Sequence, residues 1–171
     1  MQRISKLTGT AAIVGLGLSL GAVAPAQAAP AVGPCNNVSV TVNPVEGSPG
    51  AGGYSEAITI TNMGDLDCKV AGHPDVQRAT IHDGGVSLAG APADKTAEVG
   101  DEVHLEPGQS ATAELRVTRP ELFDPADCGV VVGTHLINMK MPGVAHERQV
   151  YDESTACTSP ALATMTVGVF K

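Results

Sequence analysis

The side chains best suited to hold something soft are His135, Met139, Met141 and His146, which fall within one short stretch of the chain. Imidazole and thioether together suit Cu(I). On an extended strand the period of two puts His135, Met139 and Met141 on one face. The same pattern also suits packing, since Met139 and Met141 flank Leu136 and Ile137 and methionine fills irregular core space. Four cysteines, Cys35, Cys68, Cys128 and Cys157, offer a second chemistry. Zinc sites draw on closely spaced ligand pairs, and the chain has no C-x-x-C, so two disulfides are expected rather than a metal. Asp65-x-Asp67 beside Asn62 has oxygens for Ca²⁺ but lacks the longer ligand ladder of a calcium loop, and reads as solvated turn carboxylates. No cofactor is expected.

Nucleophilic chemistry has even less support. None of the serines beyond residue 28 sits in G-x-S-x-G or S-x-x-K, and disulfide formation would consume every thiol. The sequence therefore predicts a protein that is not an enzyme; a hydrolase would need a buried Ser-His-carboxylate set assembled from distant residues. A small proteinase inhibitor would present a rigid loop, for which Met141-Pro142-Gly143-Val144 and Arg119-Pro120 are the candidates, although a proline after the bond itself resists cleavage. The remaining reading is a binding module of unknown partner, a protein or an envelope component. Its recognition surface would lie on one of three loops: Pro44 to Gly53, Ala89 to Glu98, or Pro120 to Asp127.

The elements that would carry these residues follow an export signal. Arg3 and Lys6 precede an uncharged stretch from Leu7 to Val23, and Ala26-Gln27-Ala28 forms an A-x-A cleavage pattern. Gly15, Gly17 and Gly21 interrupt the apolar part, which is shorter than the roughly 20 residues of a spanning helix, so no stable membrane insertion is expected after cleavage. Residues 1–28 are thus read as signal peptide, 29–34 as a short disordered N-terminus and 35–171 as one domain, expected to be secreted into the medium or held at the cell envelope. Beyond residue 28 the Lys and Arg number eight against eighteen Asp and Glu, a net charge of −10. That charge repels phosphate backbones, so no nucleic acid is expected. With two Tyr, two Phe and no Trp, stacking platforms for sugars or bases are nearly absent as well.

Period-two patterns dominate the rest. Val38, Val40 and Val42 alternate with polar residues, as do Ile58 and Ile60, then Ala111, Ala113, Leu115 and Val117, and finally Met165, Val167 and Val169. Asp83-Gly84-Gly85 reads as a hairpin turn and Glu106-Pro107-Gly108 as a type II turn. Long strands are expected over 130–141 and 146–152, and a single helical turn at Pro120. About eight to ten short strands predict an all-β antiparallel two-sheet sandwich, with a closed barrel as the other possibility. Cys35 opens one strand and Cys68 follows the next, while Cys128 and Cys157 bracket a second pair. Antiparallel pairing then favours Cys35–Cys68 and Cys128–Cys157.

Ile58-Thr59-Ile60-Thr61-Asn62-Met63-Gly64, followed by Cys68-Lys69-Val70-Ala71-Gly72-His73-Pro74, resembles the signature of an uncharacterised secreted and lipoprotein family of actinobacteria, known as a domain of unknown function. Leu105-Glu106-Pro107-Gly108 is similar to its second element, and the four-cysteine frame matches too. His73 departs from it, standing where the family has an aromatic residue. The resemblance spans Cys35 to Val169 and implies an exported immunoglobulin-like sandwich. It brings no catalytic residue with it, because a shared fold supplies no activity.

Overall fold

In the computed structural model, residues 32–144 and 146–171 are described. The signal peptide expected over 1–28 lies outside them. The strands are β1 (Gly33–Pro34), β2 (Val38–Pro44), β3 (Gly53–Asn62), β4 (Cys68–Val70), β5 (Asp75–His82), β6 (Gly85–Ala89), β7 (Asp94–Lys95), β8 (Val103–Leu105), β9 (Ser110–Thr118), β10 (Val131–Lys140), β11 (Arg148–Cys157) and β12 (Met165–Val167). A 3₁₀ turn at Pro120–Leu122 and a one-turn helix, α1 (Pro125–Cys128), lie between β9 and β10.

These strands build the expected disulfide-stapled sandwich. A five-stranded sheet in the order β2-β3-β9-β12-β7 and a four-stranded sheet in the order β11-β10-β5-β6 share one apolar core; a small sheet, β1-β4-β8, adds Val70 and Leu105 to it. In the larger sheet Val42, Ile58 and Ala113 form one cross-strand row and Val40, Ile60 and Ala111 the next, so branched side chains are set beside small ones as close packing requires. On the outer face Thr59 meets Thr112 (3.2 Å) and Thr61 meets Ser110 (2.8 Å). The inward rows of the smaller sheet are Val150-Ile137-Arg78-Ala89 and Arg148-Met139-Val76.

Both anticipated turns form. Asp83 and Gly84 have φ of 49° and 78° between paired His82 and Gly85, a two-residue turn of the primed kind that matches strand twist. Gly108 has φ 81° after Pro107, and Gln109 N–H donates to the Glu106 carbonyl at 2.9 Å.

Four features depart from expectation. The N-terminus is ordered earlier than predicted: Gly33 and Pro34, assigned to a disordered 29–34, pair with Cys68 and Lys69 because the adjacent Cys35 is tied down by its disulfide and by its N–H to the Lys69 carbonyl (3.2 Å). Pairing is not wholly antiparallel, since β1 with β4 and β12 with β7 run parallel. The 89–98 segment is no free crossing. Ala93 N–H donates to Val76 in one sheet (2.8 Å) and Thr96 N–H to Val167 in the other (3.0 Å). Finally, β11 runs on to Cys157 through polar residues, past a bulge at which His135 alone stands between paired positions while Asp152 and Glu153 intervene opposite it.

The disulfides are Cys35–Cys68 and Cys128–Cys157, closing separations of 33 and 29 residues, and no free cysteine remains among the described residues. Each contributes roughly 3–4 kcal/mol in the chain-entropy account. Such pairing fits an oxidising, extracellular environment. Among the described residues no helix is long and apolar enough to cross a membrane.

Candidate functional site

The residues singled out as metal ligands are divided between core and surface. Met139 and Met141 are 0% and 1% exposed and belong to the continuous apolar core with Val76 and Ile137. His135 is half-buried at the bulge, and its Nδ1 has no hydrogen-bond partner. His146 is exposed in the connection to β11. Among the described residues no group of three or more His, Cys, Asp or Glu is placed to hold a metal ion. The turn at Asn62 uses its side chain for structure instead: Nδ2 donates to the Leu66 and Leu105 carbonyls (2.9 and 3.0 Å) and Oδ1 accepts from Gly64 N–H (2.9 Å). The Met141-Pro142-Gly143-Val144 loop is anchored rather than projecting, since Met141 and Val144 are both buried.

The most unusual chemistry in the molecule surrounds an arginine that the sequence did not single out. Arg78, on β5, is 1% exposed and points into the sandwich. Its guanidinium donates to Glu56 on β3 (Nη2–Oε2, 3.1 Å), to Asp152 on β11 and to the Tyr54 hydroxyl (Nη2–Oη, 3.3 Å). The Tyr54 hydroxyl in turn lies 2.7 Å from Ser154 Oγ. One cation thus bridges the two large sheets. Isolating it in the interior would be prohibitive; two carboxylates and a phenol meet its Nη1 and Nη2 groups, while its buried Nε has no partner. Glu56 is itself only 4% exposed. Burial pushes its carboxyl above the ordinary value, while attraction and hydrogen bonding from Arg78 pull it back only in part.

Above this cluster lies an open cleft of about 750 Å³, formed where the edges β2 and β11 of the two sheets come together. Its floor includes Tyr54, Glu56, Asp152 and Ser154; the rim is built by the 44–53 loop, through Ser48 and Pro49, and by the turn after β9, through Arg119, Glu121 and Leu122. Two of the three loops expected to carry recognition therefore converge on one site. The third, 89–98, lines other parts of the surface.

Local sequence accounts for each contribution. Gly53 lets β3 approach β9, because a Cβ there would lie 2.0 Å from the Val117 carbonyl oxygen. Pro120 starts the 3₁₀ turn that carries Glu121 and Leu122, and is itself buried. The β11 bulge falls at Asp152 and Glu153, where it sets one carboxylate on Arg78 and leaves the next at the rim. Four carboxylates, Glu56, Glu121, Asp152 and Glu153, line the cleft against one cation, Arg119, with Arg78 beneath. Hydroxyls of Ser48, Tyr54, Ser154 and Thr155 add polar contacts, and Pro44, Pro49 and Leu122 add apolar ones. Among the described residues no histidine lines the cleft; His73 bonds instead to Thr96 Oγ1 (3.1 Å) elsewhere.

A signal for this cluster was present in the sequence. Glu56 keeps the same phase as the inward Ile58 and Ile60, and a carboxylate at a core position calls for a buried cation. The cation was concealed because β5 has no clean alternation: Val76, Arg78, Ala79 and Thr80 are all buried while Ile81 is 45% exposed.

No curated protein and no solved structure shows a significant match to this chain. A family model described as a domain of unknown function, DUF4232, matches residues 34–171 and so covers both disulfides, both large sheets and the cleft; the chain belongs to that family.

Proposed function

We propose that this protein is a secreted, non-enzymatic binding module whose recognition site is the cleft over Arg78, and that the cleft takes a small molecule or short peptide segment bearing a positively charged group. The observation that carries the reading is the convergence of two separate loops on a cavity whose lining has four carboxylates and one cation. A volume of about 750 Å³ is within the range of sites that hold small ligands. The acidic rim favours an incoming ammonium or guanidinium. Glu56 and Asp152 are held by Arg78, leaving Glu121 and Glu153 to meet it, the latter accepting only from the neutral Tyr151 hydroxyl among the described residues. Mixed hydroxyl and proline surfaces suit the peptide bonds or methylenes beside such a charge.

The test is a titration of isotope-labelled, oxidised protein with short capped peptides that differ only at a central Arg, Lys, Ala or Glu. The proposal predicts saturable shifts of the Tyr54, Ser55, Leu122 and Ser154 amides with the arginine and lysine peptides and little response to the glutamate one. Equal responses to all four, or shifts confined to residues outside the cleft, would exclude it.

A further inference from the structure

The edges of the two large sheets are defended unequally. β11 carries Arg148, Asp152 and Glu153 and a bulge, β7 consists of the charged pair Asp94–Lys95, and β2 ends in a proline and lies against β11. Charges, prolines and bulges are the usual protections against pairing with another chain. β6, Gly85-Val86-Ser87-Leu88-Ala89, has none of them.

Register determines what β6 leaves free. It pairs His82 with Gly85, Thr80 with Ser87 and Arg78 with Ala89. The two-residue turn makes His82 and Gly85 a hydrogen-bonded pair, so the alternate pairs, 80 with 87 and 78 with 89, are hydrogen-bonded too. The N–H and C=O of Val86 and Leu88 therefore point away from β5, along the open edge. The side chains of these two residues lie opposite Ile81 and Ala79 on the face turned from the core. There the row Tyr151-Leu136-Ala79-Leu88 crosses the whole sheet, and Ile81, Val86, Leu88 and Tyr151 are 45%, 44%, 57% and 65% exposed.

We propose that β6 pairs antiparallel with β6 of a second copy about a two-fold axis at Ser87, joining two four-stranded sheets into one. In this register Val86 stands opposite the partner's Leu88, and Leu88 opposite the partner's Val86. All four outward groups of each strand then find partners, giving four backbone hydrogen bonds across the joint. A shift by one residue would set outward groups against groups already bonded to β5. The apolar faces become continuous, because Val86 and Leu88 lie on the same face in both copies. The register points to a second copy as the occupant, because about the two-fold axis at Ser87 the strand is its own complement. The charge of −10 beyond residue 28 opposes the approach of two copies, and the uncharged β6 strip is where the local repulsion is least. β6 also offers no charge with which to select a foreign strand. A joint of one short strand falls below the standard interface of about 1,600 Å², so the dimer is weak and reversible, with a Kd on the order of 10–100 μM. The cleft lies at the opposite edge of the same sheet, beside β11, and the dimer displays two of them.

Sedimentation equilibrium of the oxidised protein, exported and purified from the full-length sequence, tests this over roughly 1 μM to 1 mM. The expected result is a monomer–dimer equilibrium that tightens as NaCl is added, because salt screens the like charges. Val86→Pro removes an outward N–H without breaking a bond to β5, and Leu88→Lys places like charges near the two-fold axis; each is expected to weaken the dimer at least tenfold. Retention of the wild-type melting behaviour shows that a variant is folded, and Leu88→Lys decides the matter if Val86→Pro does not fold. A monomer throughout the range, a larger assembly, or a dimer unchanged in a folded variant would overturn the proposal.

Discussion

Replacing Arg78 with methionine should reveal how far the two sheets depend on one buried cation. The long side chain is kept, and so is most of the packing against Ile137, but Glu56 and Asp152 lose their shared partner. Removing one member of a buried ion pair costs about 3–5 kcal/mol, because the other charge stays in the interior uncompensated. Against a domain stability of about 5–15 kcal/mol, that loss should move the guanidinium-induced midpoint well below wild type. The loss should also depend on pH. Burial already raises the folded pKa of Glu56 above its ordinary 4.5, so this group's contribution is fully present below 4.5 and is lost as pH rises through the folded value. Arg78 opposes that rise; without it the folded value climbs further and the loss at neutral pH grows. Arg78→Met should therefore be most damaging near neutrality and least damaging toward pH 4.5. Adding Glu56→Gln should restore part of the stability at neutral pH. The assay is denaturant unfolding with both disulfides intact, at a series of pH values. A cost below about 1 kcal/mol, or one independent of pH, would refute the view that an ionised Glu56 held by Arg78 joins the sheets.

Other outcomes follow from the same structure. Tyr54→Phe removes the hydroxyl that meets Ser154 and Arg78, and should cost about 1 kcal/mol in denaturant unfolding while weakening any peptide bound in the cleft. Cys128→Ser with Cys157→Ser should lower stability by roughly 3–4 kcal/mol, read from the shift in the denaturation midpoint. Gly90→Ala should be far more damaging than Gly72→Ala: both have positive φ, but a Cβ at 90 would lie 2.3 Å from the Cys157 carbonyl oxygen, whereas at 72 nothing lies within 4 Å. Thermal melts of the two variants compare them directly, with only about 1 kcal/mol expected at 72.

Most of the fold was legible because one face of each long strand is apolar and the turns carry their own chemistry. Ile58 and Ile60, the Asp83-Gly84 turn and the Pro107-Gly108 turn all declared themselves in this way. The short strands β1 and β7 were not legible, since two residues carry no period and their pairing depends on the disulfide and on hydrogen bonds from Ala93 and Thr96. The far half of β11 was hidden by its polar composition and by the bulge that breaks its register. The site was only half legible. Its two loops were recognised as loops, but nothing local in 44–53 or 120–127 indicates that they meet. The ion cluster at its base escaped because β5 does not alternate cleanly: Val76, Arg78, Ala79 and Thr80 are all buried while Ile81 is exposed, so nothing in that run marks the arginine as inward. Burial of Arg78 is a tertiary outcome, set by carboxylates on two other strands.

Whether the cleft over Arg78 recognises positive charge is decided by calorimetric binding of the arginine-centred peptide to wild type and to a Glu121→Lys, Glu153→Lys double variant. These two rim carboxylates do not contact Arg78, so their reversal should leave the fold intact. Binding to wild type should weaken with added salt and fall by at least about tenfold in the folded variant. Undiminished affinity in the double variant would contradict that recognition.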